Sequence, residues 1–323
     1  MCTALTVNAN DNYFGRNLDY EYSFGEKICI TPRKYPFYFS NGDFLSDHYA
    51  IIGMALITDN YPLYFDATNE HGLSMAGLNF PGNAVYNQCS NDKINIASYE
   101  LIPYILSQYK TLSQLMEFID SINIINKPFK NELPPTPLHW LIADKEKCIC
   151  LEQTKEGLNV YDNPCGVLTN NPEFHMQLFN LNNYLSLSSK EPENRFSKDI
   201  NLNTYSKGMG ALGLPGDFSS ASRFIKACFV KLNMIFGETE SDRINDFFHV
   251  LSSVCQYRGC VKTADGNEYT QYSSCCNADR GIYYYTSYNN QNINAVDMHR
   301  ENLNSSFLIA HELIKTINIT MQN

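Results

Sequence analysis

The second residue of the chain is a cysteine, set directly behind Met1 in MCTALTVNANDNYFGRNLDYEYSF, residues 1–24. Methionine is commonly removed ahead of a small side chain, and Cys2 would then carry a thiol and a free α-amine on one residue. An internal cysteine nucleophile needs a histidine to take its proton. An N-terminal one has an α-amine whose pKa, about 7.7–8.0, lies close to the roughly 8.5 of a free thiol, so the two exchange a proton at neutral pH. Arg16 would favour the thiolate, and Asp19 would hold the ammonium by accepting its hydrogen bonds. On an alternating strand, positions 16 and 19 fall on opposite faces, so a turn or bulge is expected to bring them to one site.

These residues need a sheet to hold them. Residues 3–7 and 13–19 read as strands joined by the turn-forming NANDN, a hairpin. Further strands are expected at 27–32, 49–57, 63–67 and 73–80, then at 138–144, 148–154 and 158–162, and again at 269–276, 281–288 and 293–298. Helical spacing appears at Leu101, Ile105 and Leu106, and at Leu115, Phe118, Ile119 and Ile122 behind a cap at Thr111 or Ser113. It recurs at Leu178, Leu181 and Leu185, at Ile225, Cys228, Phe229 and Leu232, and at Ile244, Phe247, Phe248 and Leu251. Strands that bracket helices without a βαβ rhythm predict an α+β fold, and no linker or repeat divides residues 1–323, so one domain is expected.

The hydrophobic fraction of 44% and the charged fraction of 18% are those of a folded protein with a sizeable core. A formal charge of −10, from 34 acidic and 24 basic residues, argues against nucleic acid or an anionic membrane as partner. Neither a signal peptide nor an apolar run long enough to span a membrane is apparent, so a cytoplasmic protein is expected, with its eleven cysteines as thiols. Cys29, Cys89, Cys165 and Cys228 read as small buried hydrophobes. Gly208–Gly213 fits G-x-G-x-x-G, but it follows polar NTYSK and runs into Leu214-Pro215-Gly216, which reads as a loop. No G-x-S-x-G or H-E-x-x-H occurs among these residues, so neither a serine hydrolase, a metal nor a cofactor is expected.

Several stretches together resemble the choloylglycine hydrolase family: the N-terminal segment, NYPLYFDATNEHGLSMAGLNFPGN (60–83), PLHWLIADKEKCICLEQTKEGLNVYDNP (137–164), GVLTNNPEF (166–174), GLPGDFSSASRF (213–224) and GIYYYTSYNNQNINAVDM (281–298). The likeness is to bile salt hydrolases, with penicillin V acylase as the sister activity, and it runs to about Asn302. It implies the N-terminal nucleophile hydrolase fold, a four-layer αββα sandwich of two antiparallel sheets between helical layers. The family's pattern falls on Cys2 as nucleophile with Arg16, Asp19, Asn79, Asn170 and Arg223 around it. It further implies that Leu18, Phe24, Thr58, Phe129, Leu133 and Leu138 line the acyl pocket, Thr58 standing where relatives often have an aromatic residue. Conjugated bile acids of the glycocholate and taurocholate type are the implied substrates, and the implied assembly is a homotetramer. The rivals are penicillin V acylase or another N-acyl amide hydrolase, where the position of Asn79 is often tyrosine, and a non-catalytic steroid- or lipid-binding protein.

Overall fold

A computed structural model describes residues 1–323. Cys2–Ala9 (β1) and Asp11–Tyr20 (β2) form a hairpin in unbroken antiparallel register from Cys2–Leu18 to Ala9–Asp11. Asn10 turns it at φ 64°, a left-handed conformation that asparagine adopts more readily than most residues. The chain continues through Lys27–Thr31 (β3), Ile51–Thr58 (β4), Tyr61–Asn69 (β5), Ser74–Asn79 (β6) and Leu101–Gln108 (α1). Next come Leu138–Ala143 (β7), Cys148–Thr154 (β8), Gly157–Asp162 (β9), Val167–Leu168 (β10), Phe174–Asn180 (α2), Ser220–Asn233 (α3) and Glu240–Ser252 (α4). Asn267–Asn277 (β11), Ile282–Ser287 (β12), Asn290–Asp297 (β13) and Ile309–His311 (β14) complete it.

The strands form two antiparallel sheets. One has the order β10-β1-β2-β11-β12-β13, with Val261–Lys262 pairing β11 as a seventh strand. The other runs β9-β8-β7-β6-β5-β4-β3-β14. Helices α3 and α4 pack on the outer face of the first sheet and α1 on that of the second, giving the αββα layering. The inner faces share a core that includes Cys2, Leu18, Ile30, Met54, Leu78 and Tyr272. A second core, with Trp140, Leu101 and Ile105, lies between the second sheet and α1. No helix is long and apolar enough to cross a membrane.

Some expectations differ from this outcome. The helix read over Leu115–Ile122 is α-helical only at Leu112–Met116, capped by Thr111 through Gln114 N–H at 3.2 Å. Its continuation, Ile122–Ile125, pairs in parallel with Ile94–Ala97, because a run of β-branched isoleucines packs better on a strand than around a helix. The pattern at Leu178, Leu181 and Leu185 is a short helix ending at Asn180 and a 3-10 turn, with Leu185 exposed. Cys89 is exposed in a loop, whereas Cys29, Cys165 and Cys228 are buried. The edge strand β14 was not legible at all; it closes the second sheet by pairing with β3.

Gly15, at the centre of β2, is needed for close approach. A Cβ there would lie 1.9 Å from Ser274 O on β11. Gly15→Ala should therefore lower the unfolding free energy by about 3 kcal/mol, at the upper end of overpacking costs. The midpoint of urea unfolding checks it, and an unchanged midpoint would contradict the close approach.

Candidate active site

Cys2 opens β1 and is 4% exposed, with Leu18 as its Cα partner across the hairpin. Opposed residues of an antiparallel pair share a face, so Cys2, Ala4, Arg16 and Leu18 point between the sheets, while Thr3, Asn17 and Asp19 point toward the helices. Arg16 reaches across to the second sheet, where Nη1 donates to Phe65 O at 2.9 Å and Gly77 O at 2.6 Å. Those carbonyls are free for two local reasons. The register of β5 slips around Phe65, between the pairs Met54–Asp66 and Ala55–Tyr64, and β5 pairs with β6 only at Asp66–Ala76 and beyond. Asp66 supplies the compensating charge, its carboxylate accepting from the hydroxyls of Tyr272 (2.7 Å), Tyr283 (2.6 Å) and Ser274 (3.1 Å). Burial opposes the charge on Arg16, yet attraction from Cys2, Tyr272, Asp66 and Asp19 outweighs it and raises its pKa. Burial raises the Asp66 carboxyl, against Arg16 and the three hydroxyls.

On the opposite face, Arg223 in the first turn of α3 is 1% exposed. Its Nη1 donates to Cys2 O at 2.6 Å and to Thr3 Oγ1 at 2.7 Å, and its Nη2 to Asn170 Oδ1 at 2.8 Å. The same Oδ1 accepts the Cys2 N–H at 2.8 Å, and Asn170 Nδ2 donates to Asn79 O at 2.7 Å. Asn79, the last residue of β6, lies opposite Leu138. Phe80 N–H goes to Pro137 O (2.8 Å) and Leu138 N–H goes outward to the Tyr86 hydroxyl (2.7 Å), so Asn79 and Leu138 form a non-hydrogen-bonded pair. The Asn79 N–H and C=O therefore face away from β7, into the gap that β5 has left.

Asp19 accepts from Thr270 Oγ1 at 2.6 Å through Oδ1. Its Oδ2, 3.9 Å from Arg223 Nη1, is buried without a hydrogen-bond partner. Burial raises the Asp19 carboxyl, opposed by Arg223, the N-terminal ammonium and Thr270. Burial likewise lowers the pKa of Arg223, opposed by Asp19, Cys2 and Glu268. Met1 extends β1 by one residue. Its carbonyl accepts from Asp19 N–H at 2.9 Å, and its ammonium donates to Asp19 O at 2.8 Å and to Glu268 Oε1 at 2.6 Å. With Met1 attached, the nitrogen of Cys2 is a peptide nitrogen.

The bulge expected to bring Arg16 and Asp19 together does not occur in β2, which pairs with β1 without interruption. The two residues stay on opposite faces and approach the chain's start from either side. The irregularities fall on the partner strands instead, around Phe65 in β5 and at Gln271 in β11, between the pairs Asp19–Thr270 and Leu18–Tyr272. Of the residues expected in the acyl pocket, Leu18 flanks the thiol, and Leu138 stands opposite Asn79. Phe24, half-buried, packs on Tyr20 and Phe65 with ring centroids 4.7 and 5.5 Å apart. Thr58, Phe129 and Leu133 form a second group: Phe129 packs on Tyr61 and Tyr99, its N–H goes to Leu133 O at 3.2 Å, and Lys130 Nζ reaches the Thr58 hydroxyl at 3.1 Å. Two open clefts of about 680 Å³ each, around Arg33 and Glu70 and along residues 191–204, include none of these side chains.

Glu268, Thr270, Asp66 and His139 belong to this region and carried no signal that the sequence reading used. Alternation in NEYTQYSS places Glu268 and Thr270 on one face of a strand, but nothing local says that this face meets the start of the chain.

Comparison with known proteins bears on what this arrangement does. The profile of the linear amide C–N hydrolases, choloylglycine hydrolase family, matches residues 2–311. A bile salt hydrolase/transferase of Lactiplantibacillus plantarum is 52% identical over 314 residues, 97% of each chain. The crystal structure of a conjugated bile acid hydrolase variant from Clostridium perfringens superposes with a TM-score of 0.93 at 39% identity, over the whole of both chains. Penicillin V acylase from Agrobacterium tumefaciens, 18% identical, shares the fold with a TM-score of 0.75 over 98% of this chain and 94% of its own. A buried cysteine at residue 2, its backbone N–H and C=O bonded by the Asn170 amide and the Arg223 guanidinium on an αββα frame, thus stands in a chain that belongs to the choloylglycine hydrolase family of linear amide C–N hydrolases.

Proposed function

We propose that the chain is a bile salt hydrolase, cleaving the amide of glycine- and taurine-conjugated bile acids through a Cys2 thioester. The observation that carries the mechanism is the shared Oδ1 of Asn170. It takes both the Cys2 nitrogen and Arg223, so one side chain ties the nucleophilic residue to the groups around it. Relatives named bile salt hydrolase/transferase and conjugated bile acid hydrolase, at 52% and 37% identity, support the substrate class.

Removal of Met1 turns the Cys2 nitrogen into an α-amine. Asn170 Oδ1 already accepts from that nitrogen, and the unpartnered Asp19 Oδ2 is available for the ammonium. The thiol gives its proton to the α-amine, and the thiolate, steadied by Arg16, attacks the amide carbonyl. Asn79 N–H and the second hydrogen of Asn170 Nδ2 receive the oxyanion, the first hydrogen being held by Asn79 O. The α-ammonium then protonates the departing glycine or taurine nitrogen as the C–N bond breaks. Water, deprotonated by the same amine, hydrolyses the thioester and restores the thiol. Leu18, Phe24 and Leu138, with Thr58, Phe129 and Leu133 further along, are assigned to the steroid body.

The test is release of glycine and taurine from glycocholate and taurocholate, followed with ninhydrin beside turnover of penicillin V. Faster turnover of the bile salts is expected, and preference for penicillin V would move the assignment to the sister activity. We further assign a homotetramer acting in the cytoplasm, where a thiol stays reduced. Support comes from large apolar side chains exposed along 179–212, among them Phe179, Phe196 and Tyr205. Light scattering of the eluted protein should give four chains; a single-chain mass would contradict the assembly.

The Met1 contacts also predict an order of events. In the folded chain the ammonium of Met1 is tied to Glu268 and Asp19, and the Met1–Cys2 peptide lies inside the strand ladder, out of reach of an aminopeptidase cleft. Folded protein retaining Met1 should keep it when incubated with methionine aminopeptidase, while a peptide of residues 1–10 loses it. Intact mass distinguishes the two, and rapid trimming of the folded chain would contradict this order.

A further inference from the structure

We propose that His139 is a positioning residue that locks the two oxyanion donors to one another, an inference that rests on the catalytic reading above. His139 is the second residue of β7 and has no solvent exposure. It touches the chain neighbour of each donor. Its ring stacks on Phe80, the residue after Asn79, with centroids 4.2 Å apart and planes 7° from parallel. Its Nε2 lies 2.8 Å from the carbonyl oxygen of Thr169, the residue before Asn170. Asn79 and Asn170 come from distant parts of the chain, a sheet strand and a loop, and His139 packs between their immediate neighbours.

Donor accounting fixes the ring's orientation. The Thr169 carbonyl can only accept, so Nε2 carries a hydrogen. Nδ1 faces Glu152 Oε1 at 2.9 Å, and a single proton lies between them. Glu152, also without exposure, accepts the Phe174 N–H that opens α2, through Oε1 at 3.0 Å and Oε2 at 3.3 Å. From α2, Gln177 donates back to the Asn170 carbonyl and accepts from Thr169 Oγ1 at 2.8 Å. The Asn170 loop is therefore closed into a ring of buried hydrogen bonds, and the His139 ring joins it to the Asn79 side beside the direct bonds Asn170 Nδ2–Asn79 O and Asn171 Nδ2–Pro81 O, each 2.7 Å. Cys150 Sγ lies 3.7 Å from the same Glu152 oxygen, and the three side chains are grouped closely enough to ligate a cation. Both imidazole nitrogens are already committed to Thr169 and Glu152, so a positioning role is the one the donors fit. In a buried network each such bond constrains its neighbours strongly.

His139→Phe keeps an aromatic ring on Phe80 and deletes both hydrogen bonds, whereas His139→Gln retains a donor toward Thr169. For His139→Phe, kcat on taurocholate should fall about a hundredfold, the scale of an ångström-level misplacement of catalytic groups, with KM within about twofold. Alkylation of Cys2 by iodoacetamide should keep its parent rate, because the thiol and its proton carrier are untouched. His139→Gln should recover roughly tenfold of the lost kcat. A kcat within about threefold of parent in His139→Phe, alkylation falling in step with kcat, or no recovery in His139→Gln overturns the proposal. Should His139→Phe fail to fold, His139→Gln decides alone: about a tenfold loss of kcat at parent KM and alkylation rate is expected, and a kcat within twofold of parent overturns it. A parent enzyme that releases no taurine at all would instead count against the hydrolase reading itself.

Discussion

Cys2→Ala should abolish release of glycine and taurine, lowering the rate by roughly 10⁴-fold or more, the usual consequence of removing a nucleophile that works as part of a unit. Only one sulfur atom is lost, from a residue that is 4% exposed and part of the inter-sheet core, so the fold should persist with a small drop in stability. Cys2→Ser should also process its N-terminus but hydrolyse poorly, because a hydroxyl is far less ionised than a thiol at neutral pH. Calorimetric binding of taurocholate to Cys2→Ala should be close to that of the parent. These measurements separate an enzyme from a steroid-binding protein on the same scaffold: bile salt binding with no amine released by the parent would favour the latter.

Asn170→Ala is the second large effect. Its amide touches Cys2, Arg223 and Asn79 at 2.8, 2.8 and 2.7 Å, and the proposed oxyanion bond comes from its remaining hydrogen. Loss of one oxyanion donor costs on the order of 3 kcal/mol, about a hundredfold or more in kcat. Arg223 Nη2 would also lose its acceptor in a fully buried setting, so a further penalty of about 1–3 kcal/mol in stability is expected. Steady-state kinetics and urea unfolding, read together, distinguish the two contributions. A kcat within a few-fold of parent would remove Asn170 from the oxyanion site.

The frame was largely legible from the sequence because its strands alternate. The pairing of residues 3–7 with 13–19 through NANDN is local, and its turn residue, Asn10, has the backbone conformation that such turns require. Cys2, Arg16 and Asp19 were legible from the chemistry of an N-terminal thiol, and Asn79, Asn170 and Arg223 only through motif resemblance; the structure joins Cys2, Asn79, Asn170 and Arg223 by hydrogen bonds and sets Arg16 and Asp19 on either side of them. What stayed hidden depends on contacts distant in sequence. Glu268 meets Met1 across 267 residues, and Asp66 meets Tyr272 and Tyr283 across 206 and 217, so no local pattern could announce them. The demand for a bulge near Arg16 failed for a related reason. A strand with another sheet on one face and helices on the other can present chemistry in both directions, and its partners supply the irregularities. His139 stayed hidden as well, because its partners, Thr169 and Glu152, are set by the fold alone.

The most direct test of the account is mass spectrometry of a quenched reaction of Met1-free protein with taurocholate, beside a form that retains Met1. The prediction is a cholyl adduct on the N-terminal peptide, attached through Cys2, in the Met1-free chain and neither adduct nor taurine release from the other. Full activity in protein whose first residue is still methionine, or an acyl group found on any residue other than Cys2, would contradict it.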